Sequence, residues 1–280
     1  MSVIMSIFLG LVQGITEFLP VSGSGHLSVL QNLLGLAYEK ENHLFFEALL
    51  RMAALISICV VYRFELKTMI SDTLDFLRHR ADTRPGEPVV LRPSVRTVLF
   101  LAVGTIPMIL ALIFSGSVSR LFGNTAFIGF ALLMTGAILY VSDRYVKKGV
   151  KSEKTMTMKD AVIIGLAQAA AAVPGLSRSG VTIAVGLSRG LNRNFSVRFS
   201  LLLSIPVVLV SMLWTLISMI RTGVDTSLIP AYLAGFVVAA VVGFFSIQFL
   251  RRITARGSFG KFSYYCWAAG LLTIILSIAL

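Results

Sequence analysis

Charged side chains are scarce in this chain: Asp, Glu, Lys and Arg make up 14% of its 280 residues, against 56% hydrophobic ones. That balance excludes an ordinary soluble domain, in which about a quarter of the residues carry charge. Carboxylates are the rarer sign, 13 Asp and Glu against 25 Lys and Arg. Cysteine is nearly missing. Cys59 and Cys266 form no disulfide framework and no metal-binding spacing, and both fall in apolar runs, where they read as small packing residues. No Lys or Arg precedes Lys40, so a basic leader region is lacking and an ordinary signal peptide is not expected.

Long apolar runs are what the chain does have. Six are long enough to cross a bilayer, at roughly 44–62, 97–117, 125–142, 199–220, 228–250 and 263–280. The formal charge of +12 invites a nucleic-acid reading, but its distribution argues against one. With 63–96 placed in the cytoplasm, cytoplasmic segments hold seven Lys/Arg in 63–96, six in 144–159, three in 189–198 and four in 251–261. The other side keeps Lys40, Arg120 and Arg221. This is the asymmetry of the positive-inside rule, so the basic character reports topology, with anionic lipid headgroups as natural partners and no nucleic acid. In the 63–96 connection, Phe64, Leu66, Met69, Ile70, Leu74 and Leu77 can share an apolar face opposite Lys67, Asp72, Asp75 and Arg78, which suggests an interfacial helix. The stretch around Pro85, Pro88 and Pro93 reads as linker.

A near-repeat organises the rest. Residues 10–26 read GLVQGITEFLPVSGSGH and 165–181 read GLAQAAAAVPGLSRSGV. At a constant offset of 155, Gly10, Leu11, Gln13, Ser22, Ser24 and Gly25 return as Gly165, Leu166, Gln168, Ser177, Ser179 and Gly180. Both copies are apolar but interrupted at their middles by Pro, Gly and Ser. Paired interrupted segments in two halves of a membrane protein point to a binding site at the repeat interface. The fold expected is an all-α polytopic membrane protein with an inverted-topology repeat, each half one re-entrant helical hairpin plus three transmembrane helices. The first repeat is 1–143 with its re-entrant segment at 1–36. The second is 160–280 with its re-entrant segment at 160–190, and 144–159 is a cytoplasmic linker. Three spans per half turn the second copy upside down, so the two hairpins meet near the midplane, where irregular backbone must be buried or line a wet cavity.

Charged groups inside apolar sequence cost roughly 2.5–3.5 kcal/mol each on insertion scales and usually face a working interior. The candidates here are Glu17, His26, Glu47, Arg51 and Arg178. Glu17 follows Gln13 by one helical turn, on the same face. His26 follows Ser22-Gly23-Ser24-Gly25, a run suited to a tight turn with exposed amides, and an imidazole suits a nucleophile, general acid or general base. Arg178 lies in PGLSRSG, residues 174–180, followed by Thr182. Glycine permits close backbone approach, hydroxyls donate, and guanidinium grips phosphate bidentately. A helix starting nearby would add its positive end. The plainer alternatives are an Arg178 that neutralises Glu17 or Glu47, and a Glu47–Arg51 pair at i,i+4.

QGITEFLPVSGSGHL and PGLSRSGVTI closely resemble the two signature regions of the undecaprenyl-diphosphatase family, also called bacitracin-resistance proteins. The likeness spans nearly the whole chain, including Phe46-Glu47 and the stretch from Phe199-Ser200 to Pro206. It implies a bacterial inner-membrane enzyme, with its site open to the outer face, that converts undecaprenyl diphosphate to undecaprenyl phosphate and inorganic phosphate. Such an enzyme recycles the lipid carrier for cell-wall synthesis. It also implies a divalent cation, Mg²⁺ or Ca²⁺, held in part by Glu17, and a polyprenyl diphosphate as the partner, with a homodimer left open. Carried over residue by residue, the resemblance makes His26, Glu17 and Arg178 the catalytic group, with His26 as nucleophile or acid/base. Ser22, Ser24, Ser177, Arg178, Ser179 and Thr182 become phosphate-binding, and Gln13, Glu47 and Arg51 secondary.

Three positions depart from the family pattern: Gly23 replaces the middle serine of the early run, Arg51 a usual Gln or His, and Ala53 a usual Gly. If that serine is the family's nucleophile, this chain must use His26 or water instead. The competing functions are a transporter or flippase for a polyprenyl phosphate, which would use the same anion clamp, and a non-catalytic lipid-binding paralogue.

Overall fold

A computed structural model describes residues 1–35, 40–80, 91–111, 120–146, 149–222, 226–257 and 259–279. Their regular structure is helical, with a single isolated bridge between Lys151 and Leu191. In chain order the helices are α1 (Val3–Thr16), α2 (Gly23–Leu33), α3 (Lys40–Val61), α4 (Arg63–Arg80), α5 (Pro93–Ala111), α6 (Thr125–Tyr145), α7 (Met158–Ala170), α8 (Arg178–Ser188), α9 (Arg193–Thr222), α10 (Ile229–Ala255) and α11 (Phe262–Ala279).

Five stretches among the described residues are long and apolar enough to cross a bilayer: α5, α6, residues 193–213 of α9, α10, and residues 259–279. α3 makes a sixth when joined to α4, from which it is bent by 80°. The chain is therefore a multi-pass membrane protein, and the six apolar runs of the sequence each fall on a helix. The expected 97–117 run begins earlier, at Pro93, and its end from 112 lies outside the described residues.

The packing is what a lipid environment dictates. α1 turns Val3, Ile4, Ile7, Phe8, Leu11 and Ile15 outward and buries Ser6, Gly10, Gln13 and Gly14. Lipid solvates the large apolar side chains, while small residues let backbones touch. A Cβ on Gly10 would lie 2.3 Å from the Gly235 carbonyl oxygen of α10, and one on Gly165 of α7 would lie 2.3 Å from the Gly104 carbonyl oxygen of α5. Each interrupted segment thus presses its first helix, by the same glycine of the near-repeat, onto a span from the opposite half. α6 and α11 meet through Gly129 and Gly270, and Trp267 Nε1 donates to the Leu133 carbonyl at 3.2 Å.

α4 carries the expected face only in part. Met69 is buried and Leu66 packs on the core, whereas Phe64, Ile70, Leu74 and Leu77 are exposed. Its sharp turn away from α3 gives the exposed row a lipid or headgroup surface to meet. Pro85 and Pro88 lie outside the described residues, and Pro93 opens α5 rather than a linker.

α7 starts with a capping box: the Thr157 hydroxyl accepts from Asp160 N, and the Asp160 carboxylate accepts from Thr157 N. Asp160 is fully buried and also binds Lys151 and Arg189, both at 2.9 Å. Its carboxyl therefore joins the segment before α7, the start of α7 and the end of α8.

Candidate active site

The two breaks in the near-repeat, 17–22 and 171–177, lie against each other. Two reciprocal contacts set them. The space for a Cβ on Gly25 is filled by Gly175 Cα at 2.9 Å, and that on Gly180 is met by Pro20 Cβ at 3.2 Å. Both pairs transform into each other under the 155-residue offset. Gly175 has φ +94, a conformation that favours glycine, which explains why this turn is glycine. Thr135 of α6 clamps the same turn, donating to the Gly175 carbonyl at 2.8 Å and accepting from Ser177 N at 3.1 Å.

Each break ends in a serine N-cap. The Ser22 hydroxyl accepts from Gly25 N at 3.3 Å, and the Ser177 hydroxyl accepts from Gly180 N at 3.1 Å. Ser22 donates across to the Leu176 carbonyl at 3.4 Å, so the N-termini of α2 and α8 start side by side. Ser22 is also left-handed, with φ 70, the only non-glycine so placed among the described residues. A strained residue at such a position requires its surroundings to enforce it, and the two caps do so.

Arg178, the first residue of α8, donates from Nη2 to Glu17 Oε1 at 2.7 Å. Gln13 Nε2 holds the other oxygen, Oε2, at 3.0 Å, as the one-turn spacing implied. The plainer reading of Arg178, that it neutralises Glu17, therefore holds in this structure. Neither side chain is sealed in: 21% of Arg178 and 14% of Glu17 remain accessible.

Glu17 also leans on Gly23. A Cβ there would lie 2.9 Å from Glu17 Oε2 and 3.0 Å from the Glu17 backbone nitrogen and Cα. The departure at position 23 is thus tied to the seat of the carboxylate.

His26 is fixed at both ring nitrogens. Nδ1 lies 2.9 Å from the Ser22 carbonyl, which can only accept, so Nδ1 carries the proton. Nε2 then presents a lone pair, and the Tyr265 hydroxyl of α11 donates to it at 2.8 Å. The Tyr265 ring also stacks on the imidazole, with centroids 5.6 Å apart and planes 15° apart. Tyr265 carried no usable signal in the sequence, because an aromatic near the end of a span reads as part of the interfacial belt.

The remaining hydroxyls divide into free and engaged. Ser24, partly buried, has no partner among the described residues. Ser177 and Ser179 share a contact at 3.3 Å, and Ser179 donates to the Leu19 carbonyl at 3.2 Å. The Thr182 hydroxyl, 1% exposed, bonds the Arg178 carbonyl and Ser200 Oγ, which pins α8 to α9. Glu47 and Arg51 form the i,i+4 pair that their spacing suggested, at 3.2 Å. Neither makes a hydrogen bond to Glu17, His26 or Arg178.

A cation fits this site only as one shared with a ligand. Among the described residues no three of His, Cys, Asp and Glu gather into a cage. Glu17 does stand beside Gln13, whose buried Oε1 has no hydrogen-bond partner among the described residues. These are hard oxygen donors, and Mg²⁺ commonly takes one or two carboxylates and completes its shell with substrate phosphates and water. Gln168, the repeat partner of Gln13, has neither amide atom bonded to a described residue although it is 1% exposed.

Together these groups can do one kind of chemistry well. Two helix N-termini, a guanidinium and an unpaired hydroxyl are the kinds of group that bind an anion, and an imidazole with a defined lone pair lies on the same helix as that hydroxyl. Residues 6–272 match the family described as "Bacitracin resistance protein BacA". The chain is 37% identical over 286 residues to a protein of Methanosphaera stadtmanae named "Undecaprenyl-diphosphatase", covering all of both chains. It is 35% identical to a protein of that name from Carboxydothermus hydrogenoformans, over 100% of this chain and 99% of the relative. It is also 32% identical to "Undecaprenyl-diphosphatase 1" of Bacillus cereus, over 96% of each.

Proposed function

The chain belongs to the bacitracin resistance protein BacA family, and we propose that it is a membrane-embedded phosphatase that hydrolyses undecaprenyl diphosphate to undecaprenyl phosphate and inorganic phosphate. This reaction returns the lipid carrier to cell-wall synthesis and opposes bacitracin. The observation that carries the reading is the pairing of an anion seat with a histidine whose Nε2 lone pair is defined by its other nitrogen.

The terminal phosphoryl group enters between the starts of α2 and α8. Its oxygens take the guanidinium of Arg178 from Glu17, together with the hydroxyl of Ser24 and the positive helix ends. Bidentate binding sets the phosphorus in line with His26. Nε2 then attacks it directly or takes a proton from an attacking water. In the first case an N–P bond forms as the bridging P–O bond breaks, undecaprenyl phosphate leaves, and water hydrolyses the phosphohistidine. In the second, the water oxygen bonds to phosphorus as the same bridging P–O bond breaks, Nε2 keeps the water's proton and undecaprenyl phosphate leaves. In both, the proton on Nδ1 stays bonded to the Ser22 carbonyl and stabilises the charge that Nε2 gains. Tyr265 must release Nε2 for either route, which makes it a positioning residue. Glu17 and Gln13 would hold a Mg²⁺ or Ca²⁺ that offsets diphosphate charge when bound.

The two halves, 1–143 and 160–280, are read as inverted repeats joined by 144–159. Supporting this are the reciprocal contacts Gly25–Gly175 and Gly180–Pro20, and the mirrored use of Gly10 and Gly165 against spans of the other half. On that reading the hairpins enter from opposite sides. The weight of Lys and Arg on 63–96, 144–159, 189–198 and 251–261 supports a cytoplasmic side for those loops in a bacterial inner membrane, with the site open to the outer face. The polyprenyl tail leaves laterally into lipid. A carrier for polyprenyl phosphate would need the anion seat but not a fixed imidazole tautomer.

The test is phosphate release from undecaprenyl diphosphate by detergent-purified protein, with Mg²⁺, with Ca²⁺ and with chelator. The expected outcome is cation-dependent turnover that falls about 10²-fold or more in Glu17→Gln. Absence of turnover under all conditions, with the lipid still bound, would favour the carrier.

A further inference from the structure

A cavity of about 600 Å³ with many polar lining residues opens away from the near-repeat, among the segments richest in Lys and Arg. It is bounded by the α3–α4 junction, the segment before α7, the start of α9 and the end of α10, and it shares no residue with the Glu17–His26–Arg178 site. Its volume falls in the range of small-molecule sites.

Three guanidiniums face it. Arg198 is already engaged, bonded to Glu153 at 2.8 Å and 3.7 Å from Glu65. Arg251 lies 5.5 Å over the ring of Tyr62 and has no carboxylate partner among the described residues; Arg252 has none either. Asn192 and Asn194 bring the start of α9, and with it a positive helix end.

Tyr62 is the second, independent sign. It lines the cavity and is 3% exposed, yet its hydroxyl has no hydrogen-bond partner among the described residues. Buried hydroxyls are almost always bonded, and one that is not implies a missing acceptor. A phenol keeps its proton at physiological pH, so Tyr62 stands as a neutral donor beside Arg251. The acceptor must be anionic to suit the free arginines. A carboxylate offers only two oxygens, in one plane, to these three donors, whereas a tetrahedral phosphate has oxygens in different directions for two forks and a phenol.

We propose that this cavity is a second phosphate-binding site, built from Arg251, Arg252 and Tyr62 on the basic face of the protein. Its ligand is a phosphate monoester group, carried by an anionic lipid headgroup or arriving as free phosphate.

The test is calorimetric titration of detergent-purified full-length protein with three probes: dioctanoyl phosphatidic acid, inorganic phosphate and dioctanoyl phosphatidylcholine. Each is run on the natural protein and on Arg178→Gln, which weakens the proposed catalytic seat. The proposal expects a site that persists in Arg178→Gln and ignores phosphatidylcholine. Adding Arg251→Gln or Tyr62→Phe should weaken it about tenfold, one charge-assisted or buried hydrogen bond each. Arg251→Lys should retain an intermediate affinity, which separates lost binding from lost folding. Binding of phosphatidic acid alone identifies the lipid source, and equal competition by inorganic phosphate identifies the free one. Loss of all phosphate binding in Arg178→Gln, or affinity unchanged in both Arg251→Gln and Tyr62→Phe, would overturn the proposal.

Discussion

Gly23 has no room for a side chain while Glu17 keeps its seat. A serine Cβ would press on Glu17 Oε2 and on the Glu17 backbone, both within 3.0 Å. The carboxylate end can swing, but the backbone must also shift, which typically costs about 1–3 kcal/mol. Gly23→Ser is therefore expected to lower both melting temperature and phosphate release, rather than to restore the family serine as a useful group. Steady-state turnover and a thermal melt on the same preparation would show it; faster turnover would mean that the serine, not His26, is the better nucleophile. Tyr265 is the other residue that deserves a substitution. Tyr265→Phe keeps the stack on His26 but removes the donor at Nε2. Expected is a small change in KM with an altered pH profile of kcat, because the free lone pair titrates without its partner. An unchanged profile would confine Tyr265 to packing.

At this scale the sequence told a great deal about which residues matter and little about what they touch. Glu17, His26 and Arg178 stand out because charge in apolar sequence has few excuses. The contact that fixes the histidine tautomer is a backbone carbonyl, which no sequence pattern displays. The engaged hydroxyl of Thr182 was equally invisible, since its partner Ser200 lies on another helix.

Among the elements, α7 offers a clean electrostatic test. Burial alone would oppose ionisation of Asp160, but hydrogen bonds from Lys151, Thr157 and Arg189 outweigh it and hold the carboxyl at about 2. A depressed folded value means stability that is complete above the ordinary value of 3.8 and is lost as pH falls through about 2. The melting temperature should thus drop between about pH 4 and 2, and in Asp160→Asn that part of the drop should vanish from an already lower baseline. A pH dependence identical in the variant would show that Asp160 does not carry it. Existence and type of the helices were readable because lipid-facing runs are long and continuous. Their starts were not: α5 opens at Pro93 and α9 at Arg193, ahead of the apolar runs at 97 and 199, since helices extend into headgroups on polar residues. The division of the α4 face was hidden too, because burial of Met69 and exposure of Ile70 follow from tertiary packing rather than from period.

For the whole molecule, the constant offset of 155 did more than composition could. It marks both breaks in the sequence itself, and the packing of Gly25 on Gly175 and Gly180 on Pro20 is the physical content of that offset. Glycine at those places is required by contact between the two breaks, so the repeat is legible in sequence only because the molecule uses it twice. What the offset could not reveal is the part played by α11, which enters through Tyr265 and through Cys266, whose thiol lies 3.5 Å from the Pro20 carbonyl. The central claim is that this assembly hydrolyses a diphosphate through His26. Its most direct test compares the natural protein with His26→Ala for single-turnover phosphate release and for binding of undecaprenyl diphosphate. The account predicts release lowered by about 10²–10⁴-fold with binding changed far less; release at the natural rate in His26→Ala would contradict it.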